Sequence, residues 1–412
     1  MKTLFMIVAR SLRLHAVSTF ITILAAGLAS GLVMSVFTVS EQSKVAFTGG
    51  DIGYDAVLGA KGSPLQLVLN TVYHLETSPG NIPWDVYQEV KERPYVRYAI
   101  PYAVGDNLQG YRIVGTTSEI FDVFEYQEGI GFDFSRGRSF SDDRMEAVIG
   151  AKAAKDLGLD IGSEFRPSHG VRFEPGKEHA EVYVVTGVLE PTNTPADQVV
   201  WIPIEGIYRM EGHRVDDGKR VVERGTKEIP DEWKAVSAVM IKYHSISAGM
   251  FHRGEVDAGK LYTLAWPIAD VMGGFFNKMG WITQILLYVA YIVVVVAAFG
   301  LLASIYNTMN ERRREFAILR ALGARKGTVF SVIVLEAATI AFLGSLLGYA
   351  VYLGILSVAA VVIRDQTGVV MEAFAYHPAL IWTPVGMVII GALAGVLPAI
   401  KAYSTDVART LA

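Results

Sequence analysis

The sequence predicts an α-helical membrane protein with four transmembrane helices and a large α+β domain inserted between the first and second. Three observations predict it. Four apolar stretches are each long enough to cross a bilayer, whose hydrocarbon core takes about 20 helical residues. Between the first two lies a long, net-acidic interval that mixes strand-like and helix-like runs. Lysine and arginine gather beside particular ends of the apolar stretches, the bias that orients membrane helices.

The first stretch, Ala16–Val39, is too long for a signal-peptide core, and no small-x-small cleavage site closes it, so it reads as a retained helix. The other three are Trp281–Met309, Val329–Ile363 and Ala379–Tyr403. The chain therefore divides into a leading helix with the first span (1–39), an outer domain (40–275) and the second span (276–309). A basic helix and loop (310–328), the third span (329–363), a short outer loop (364–378), the fourth span (379–403) and a tail (404–412) follow. Lys2, Arg10 and Arg13 precede the first span, and Lys401 and Arg409 lie at the end of the fourth. Arg312, Arg313, Arg314, Arg320, Arg325 and Lys326 fill the second-to-third connection, whereas the third-to-fourth connection has only Arg364 against Asp365 and Glu372. Both termini and the basic loop are thus expected in the cytoplasm, and the 40–275 domain outside.

That domain is long enough to bury its own core. Gly110–Thr116, Glu181–Leu189, Val199–Ile204 and Val236–Tyr243 are β-branched, aromatic runs bounded by turn residues and read as strands. Ser63–Glu76 and Pro83–Glu92 read as helices, with Pro64 and Pro83 suited to first turns. Glu211–Glu232, charged and poor in large apolar residues, reads as an exposed excursion.

Several chemistries are excluded. With no cysteine in 412 residues there is no disulfide, thiolate metal site or thiol nucleophile, which suits an outward-facing bacterial domain. The nearest approach to a phosphate loop, Gly170–Glu178, has one residue too many between its glycines and Glu178 where a hydroxyl is needed. No nucleophile elbow and no H-E-x-x-H occurs, so no catalytic residue is assigned. His169, Glu174, Glu178, His179 and Glu181 cluster in sequence. An exposed polar hairpin is the preferred reading and no metal is assigned, with His169 and His179 as weak candidates.

Gly27/Gly31, Gly344/Gly348 and Gly391/Gly395 are each G-x-x-x-G pairs, which place two glycines on one helix face and let backbones approach. They predict a tight bundle or a dimer seam. Glu336, near the start of the third span, is read as interfacial and paired with a base, Arg325 and Lys326 lying shortly before it. In the basic loop, Glu311–Ala324 reads as a helix with Phe316, Leu319 and Leu322/Gly323 along one side. Arg312, Arg313 and Arg320 lie mainly elsewhere, Arg312 can meet Glu315, and Gly323 is a stop. An exposed Phe316–Leu319 plug with a rim of both charges suits docking into a protein groove better than resting on lipid.

Here the sequence resembles a known family. "ERRREFAILRALGAR" and "VLEAATIAFLGSLLGYAVYLG" look like the FtsX/MacB/LolC superfamily of ABC transporter permeases, the mechanotransmission type. Ala9–Gly31 resembles its leading and first membrane helices, Tyr111–Met210 the MacB-like periplasmic core, and "LPAIKAYSTDVARTLA" the C-terminal signature, with Val407 in place of the usual proline.

The resemblance implies a bacterial inner-membrane protein with two permeases per complex, identical or paralogous. It also implies a cytoplasmic ABC ATPase dimer that holds ATP and Mg, this chain holding no cofactor. Glu311, Arg314, Glu315, Phe316, Leu319, Arg320 and Gly323 fall on its coupling-helix motif. Because the chain starts with its leading helix, the ATPase is expected on another polypeptide. The function expected is to pass ATP-driven motion to the outer domain, moving a lipophilic or lipoprotein cargo or driving efflux. A periplasmic adaptor, a lipoprotein, an outer-membrane channel and membrane lipid are the further partners; nucleic acid is not. The alternatives are an FtsX-like regulator that activates a periplasmic hydrolase, a metal-related periplasmic transport system, and a four-helix sensor or adhesin without an ATPase.

Overall fold

A computed structural model of the chain describes residues 2–49, 52–210, 229–321, 323–371 and 376–403. Most of the Glu211–Glu232 excursion, and Leu322, Glu372, Val407 and Arg409, lie outside the described residues. The chain forms two compact units, one of residues 1–43, 279–362 and 372–412, the other of residues 44–278 and 363–371.

Two helices lead, α1 (Lys2–Leu14) and α2 (Ala16–Thr48). The outer unit then runs β1 (Ala56–Ala60), α3 (Pro64–Thr71), β2 (Ile82–Pro83), α4 (Trp84–Lys91), β3 (Val96–Leu108), β4 (Tyr111–Thr116), α5 (Ile120–Val123), β5 (Glu125–Gln127) and β6 (Ile130–Gly131). It continues through β7 (Phe134–Gly137), β8 (Glu146–Ile149), α6 (Ala151–Leu157), β9 (Glu164–Phe165), β10 (Ser168–His169), β11 (Tyr183–Leu189), β12 (Val199–Pro203) and α7 (Ile204–Arg209). It ends with β13 (Ala235–Val236), β14 (Ala238–Tyr243), α8 (Ile246–Gly259) and β15 (Tyr262–Ala265). The remaining helices are α9 (Ile268–Glu311), α10 (Arg313–Ala321), α11 (Lys326–Thr367) and α12 (Ala379–Tyr403).

The outer unit is built on a mixed sheet of order β15-β1-β14-β3-β4-β12-β8-β11-β7. The spine is β3, which the sequence reading missed. Its first half pairs with β14 (Val96↔Tyr243 to Tyr102↔Ala238) and its second half with β4 (Ala103↔Gly115 to Leu108↔Tyr111). Both sheet faces are covered. Along β12, Val200 and Ile202 enter one core with Trp84 and Tyr87, while Val199 and Trp201 enter the other with Tyr102 and Phe132. Alternate residues on a strand point to opposite faces, so a strand buried on both sides reads as an unbroken apolar run.

The predicted strands are present within a residue or two of their expected ends. The helix expected over Ser63–Glu76 stops at Thr71, because the chain turns at His74, which has a positive φ of 57°. Pro64 opens it, as expected, and Ser63 caps it, whereas Pro83 sits one residue outside α4 as its N-cap and pairs in β2. Arg112, buried, donates to the carbonyls of His74 and Glu76. Burial, with this guanidinium adding to it, pushes the His74 imidazole down to about 3.

In the other unit, α2, α9, α11 and α12 are each long and apolar enough to cross a membrane. With 44 residues, α9 is about 66 Å long, about twice a hydrocarbon core. The glycine pairs meet inside this bundle. A Cβ on Gly27 would lie 3.1 Å from the Gly344 carbonyl, and one on Gly31 would lie 2.7 Å from that of Gly348, so α2 and α11 cross at two facing G-x-x-x-G pairs. Gly391 and Gly395 of α12 pack on Ala341 and Ala337 of the same α11. All three pairs therefore have partners within the chain.

Candidate functional site

At one end of the bundle, α9 runs to Glu311, the helix breaks at Arg312, and α10 follows. The single helix expected over Glu311–Ala324 is thus two elements. The stop is as read: Gly323 adopts φ 99°, and the Gly323 and Ala324 amides donate to Arg320 and Leu319 carbonyls.

The face of α10 differs from expectation. Phe316 is only 7% exposed and packs with Leu301, Ile305, Met309, Val329 and Ile333, with Leu319 against the same cluster. The Phe316–Leu319 pair is therefore an anchor into the bundle and not an exposed plug. The reason is local: α10 lies on apolar surface supplied by α9 and α11, and its own apolar residues cover it. The exposed face carries Arg313, Arg314, Glu315 and Ile318, of which Ile318 is 45% exposed, and Glu311 at the end of α9 is exposed too. Arg320 is half-buried.

Arg312, expected off the apolar side and able to meet Glu315, does meet it but is buried. Its Nη1 lies 3.5 Å from Glu336 Oε2 and donates to the Ser11 hydroxyl, which donates in turn to Glu336 Oε1 at 2.6 Å. Its Nε donates to Glu315 Oε2 at 3.1 Å, and its guanidinium lies over the Phe316 ring. Glu336 thus pairs with Arg312, not with Arg325 or Lys326, because both charges are buried and each needs a partner at contact distance. Glu311 meets His15 Nδ1 at 3.3 Å. The break before α10 is thereby tied to both α1 and α11. Ser11 and Ile318 had no sequence signal: a serine in an amphipathic helix and one isoleucine beside arginines are ordinary until their neighbours are known.

In the outer unit, His169 on β10 and His179 come together with Asp106 of β3, which the sequence reading did not include. The two imidazoles each stand 3.4 Å from Asp106 Oδ1. Glu174 pairs with Lys177 instead. Neither it, Glu178 nor Glu181 belongs to this group. Asp106 lies 73 residues before His179, a separation across which no motif could connect them.

Comparison with known proteins places these features. Residues 19–243, more than half of the chain, match the MacB-like periplasmic core domain, and residues 287–407 match the FtsX-like permease C-terminal region. A macrolide export ATP-binding/permease protein MacB of Burkholderia cenocepacia (strain HI2424) is 25% identical over 411 residues, covering 97% of this chain and 56% of that protein. A pyoverdine export ATP-binding/permease protein PvdT of Pseudomonas putida is 23% identical over 401 residues, covering 93% of this chain and 55% of the relative. The periplasmic region of MacB from Actinobacillus actinomycetemcomitans aligns with a TM-score of 0.33 and 12% identity, over 55% of this chain and 94% of that one. The chain spans from a third to a little over half the length of the curated relatives it matches. Four membrane-length helices, a mixed-sheet domain between the first and second, and α10 within the matched C-terminal segment agree with these matches: the chain belongs to the FtsX/MacB-like family of ABC transporter permeases, inner-membrane proteins with a MacB-like periplasmic core domain.

Proposed function

We propose that this permease transmits ATP-driven motion from a cytoplasmic ABC ATPase, docked on α10, to its periplasmic domain, and so drives export of a small molecule from the periplasm. The observation that carries the reading is the way α10 is held. Its outer face offers Ile318 among Arg313, Arg314 and Glu315, an apolar centre with a charged rim of the kind protein partners take. Its inner face is fastened by Phe316, and the break before it by the Arg312–Glu336–Ser11 cluster, so a push on α10 is a push on α1, α9 and α11. The unbroken length of α9 gives that motion a stiff carrier. The lysines and arginines of the basic loop and both termini favour the cytoplasmic side for them. Export is favoured over lipoprotein handling by what the relatives' names describe, macrolide and pyoverdine export. ATP and Mg belong to the ATPase, and a second permease copy or paralogue completes the complex.

The test is co-purification from native membranes in mild detergent, read by mass spectrometry. The wild type is expected to bring down an ABC ATPase together with an outer-membrane channel or its adaptor. Ile318→Asp is expected to lose the ATPase while the protein elutes as the wild type does. Unchanged ATPase recovery with Ile318→Asp removes the docking claim; a periplasmic hydrolase in place of a channel replaces export with regulation.

A further inference from the structure

We propose that the periplasmic domain binds a zinc ion through Asp106 Oδ1, His169 Nδ1 and His179 Nε2. The three donor atoms lie within 4.8 Å of one another, and both imidazole nitrogens stand 3.4 Å from the same carboxylate oxygen. That spacing is long for a hydrogen bond and also suits donors that share one ion. A charge-assisted imidazole–carboxylate hydrogen bond closes to about 2.7–2.9 Å. Ligands about 2.0–2.2 Å from a tetrahedral zinc are held apart at the edge of the tetrahedron, about 3.4 Å. The two imidazoles favour zinc over magnesium and calcium, which take oxygen ligands.

The ligands stand on a backbone arranged before any ion arrives. Asp106 is completely buried and follows a bulge in the β3–β4 pairing between Val104 and Asp106, the kind of irregularity that re-aims a side chain. Next to it, Asn107 donates from Nδ2 to the carbonyls of Ser168 and Gly170, clamping the chain on either side of His169. The Gly170 amide donates to the Gly105 carbonyl. The His169 amide donates to Lys177 and the His179 amide to Pro167, which closes the hairpin that carries both imidazoles. Burying a carboxylate is costly unless cations answer it; the buried Arg112 guanidinium already acts on Asp106, and a divalent ion on Oδ1 would add to it. His179 is nearly buried, whereas the His169 side chain is 56% exposed, so an ion can enter and leave on that side. Three protein ligands leave the fourth position of the tetrahedron to water or to a ligand brought by a partner, the arrangement of exchangeable and not of closed structural zinc. This site is independent of how α10 docks its partner.

The test uses the full chain in detergent, stripped with EDTA and titrated with zinc chloride by calorimetry, with the periplasmic-domain melt followed in parallel. The wild type is expected to saturate at one zinc per chain with a rise in melting temperature. His169→Ala removes an exposed side chain, so its melt in EDTA is expected to match the wild type. Its zinc affinity is expected to fall by more than the about 10–100-fold that losing an outer-shell partner costs. His169→Gln serves as the second variant with the same expectation. Absence of zinc binding by the wild type overturns the proposal on its own. So does wild-type zinc affinity in both His169 variants, which would mark zinc as held elsewhere on the chain.

Discussion

The bundle and the periplasmic domain bury their apolar residues by different rules. In the domain, large side chains do the filling: Trp201, Tyr183, Leu58 and Ile100 are wholly enclosed, and both faces of the sheet are covered. In the bundle, the tight contacts belong to residues with almost no side chain, as where Gly31 of α2 meets Gly348 of α11. Water makes the difference. The domain gains by hiding apolar area from water, about 25 cal/mol per Å². A membrane helix gains nothing of that kind from a neighbour, since lipid is as apolar as leucine, so close van der Waals contact has to hold the bundle. Exposed ion pairs such as Arg136–Asp160 lie on the domain, and at the bundle end Arg312 and Glu336 form a buried pair.

Three measurements can break or sharpen this contrast. The largest effect is expected from Gly31→Leu. A Cβ there already falls 2.7 Å from the Gly348 carbonyl and 2.6 Å from Val351 Cβ, and neither backbone can yield without parting the helices. The variant should aggregate on size exclusion in detergent, whereas Gly354→Leu, with nothing within 4 Å, should elute as the wild type. Equal behaviour of the two would deny that α2 and α11 meet at their glycines.

Next is the buried pair. Arg312→Ala should cost about 3–5 kcal/mol, because it leaves the Glu336 carboxylate without its cation. Arg312→Met with Glu336→Leu should recover most of that loss in a denaturant titration of the detergent-solubilised protein. A double variant as unstable as the single would mean that Ser11 and Glu315 matter more than the charge pair.

The smallest effect belongs to the domain. His74 has a folded pKa near 3 against an ordinary 6.5, so below pH 6.5 the unfolded chain gains a proton that the folded one refuses. Its stability contribution is complete above that pH and declines towards pH 3, by about 2 kcal/mol at pH 5. His74→Asn, which tolerates the positive φ, should flatten the melting-temperature profile between pH 7 and 5. An unchanged slope would place the acid sensitivity elsewhere.

Reading the sequence worked best where one period decided the matter. The four apolar helices and the β-branched strands Tyr111–Thr116, Tyr183–Leu189 and Val199–Pro203 each announce themselves by length or composition. It failed at β3, whose Pro101, Gly105 and Asp106 interrupt the pattern of a strand that is nonetheless the spine of the sheet. It also failed on the face of α10. Periodicity showed that Phe316 and Leu319 share a side, but an apolar side is equally suited to a partner's groove or to its own bundle.

What the amino-acid order determined alone is the list of segments: which are long and apolar enough to cross a membrane, which domain lies between them, that no thiol chemistry is available, and which connection carries the basic, amphipathic run. Hydropathy and helix period are local properties, and they suffice for that list. Only the tertiary structure decided that the glycine pairs face one another, that Phe316 points inward and leaves Ile318 outside, that Glu336 chooses Arg312, and that Asp106 joins two distant histidines. Each of these is a choice between faces or partners separated by tens to hundreds of residues. A repeat of 3.6 or 2 residues defines a face but does not say what will cover it.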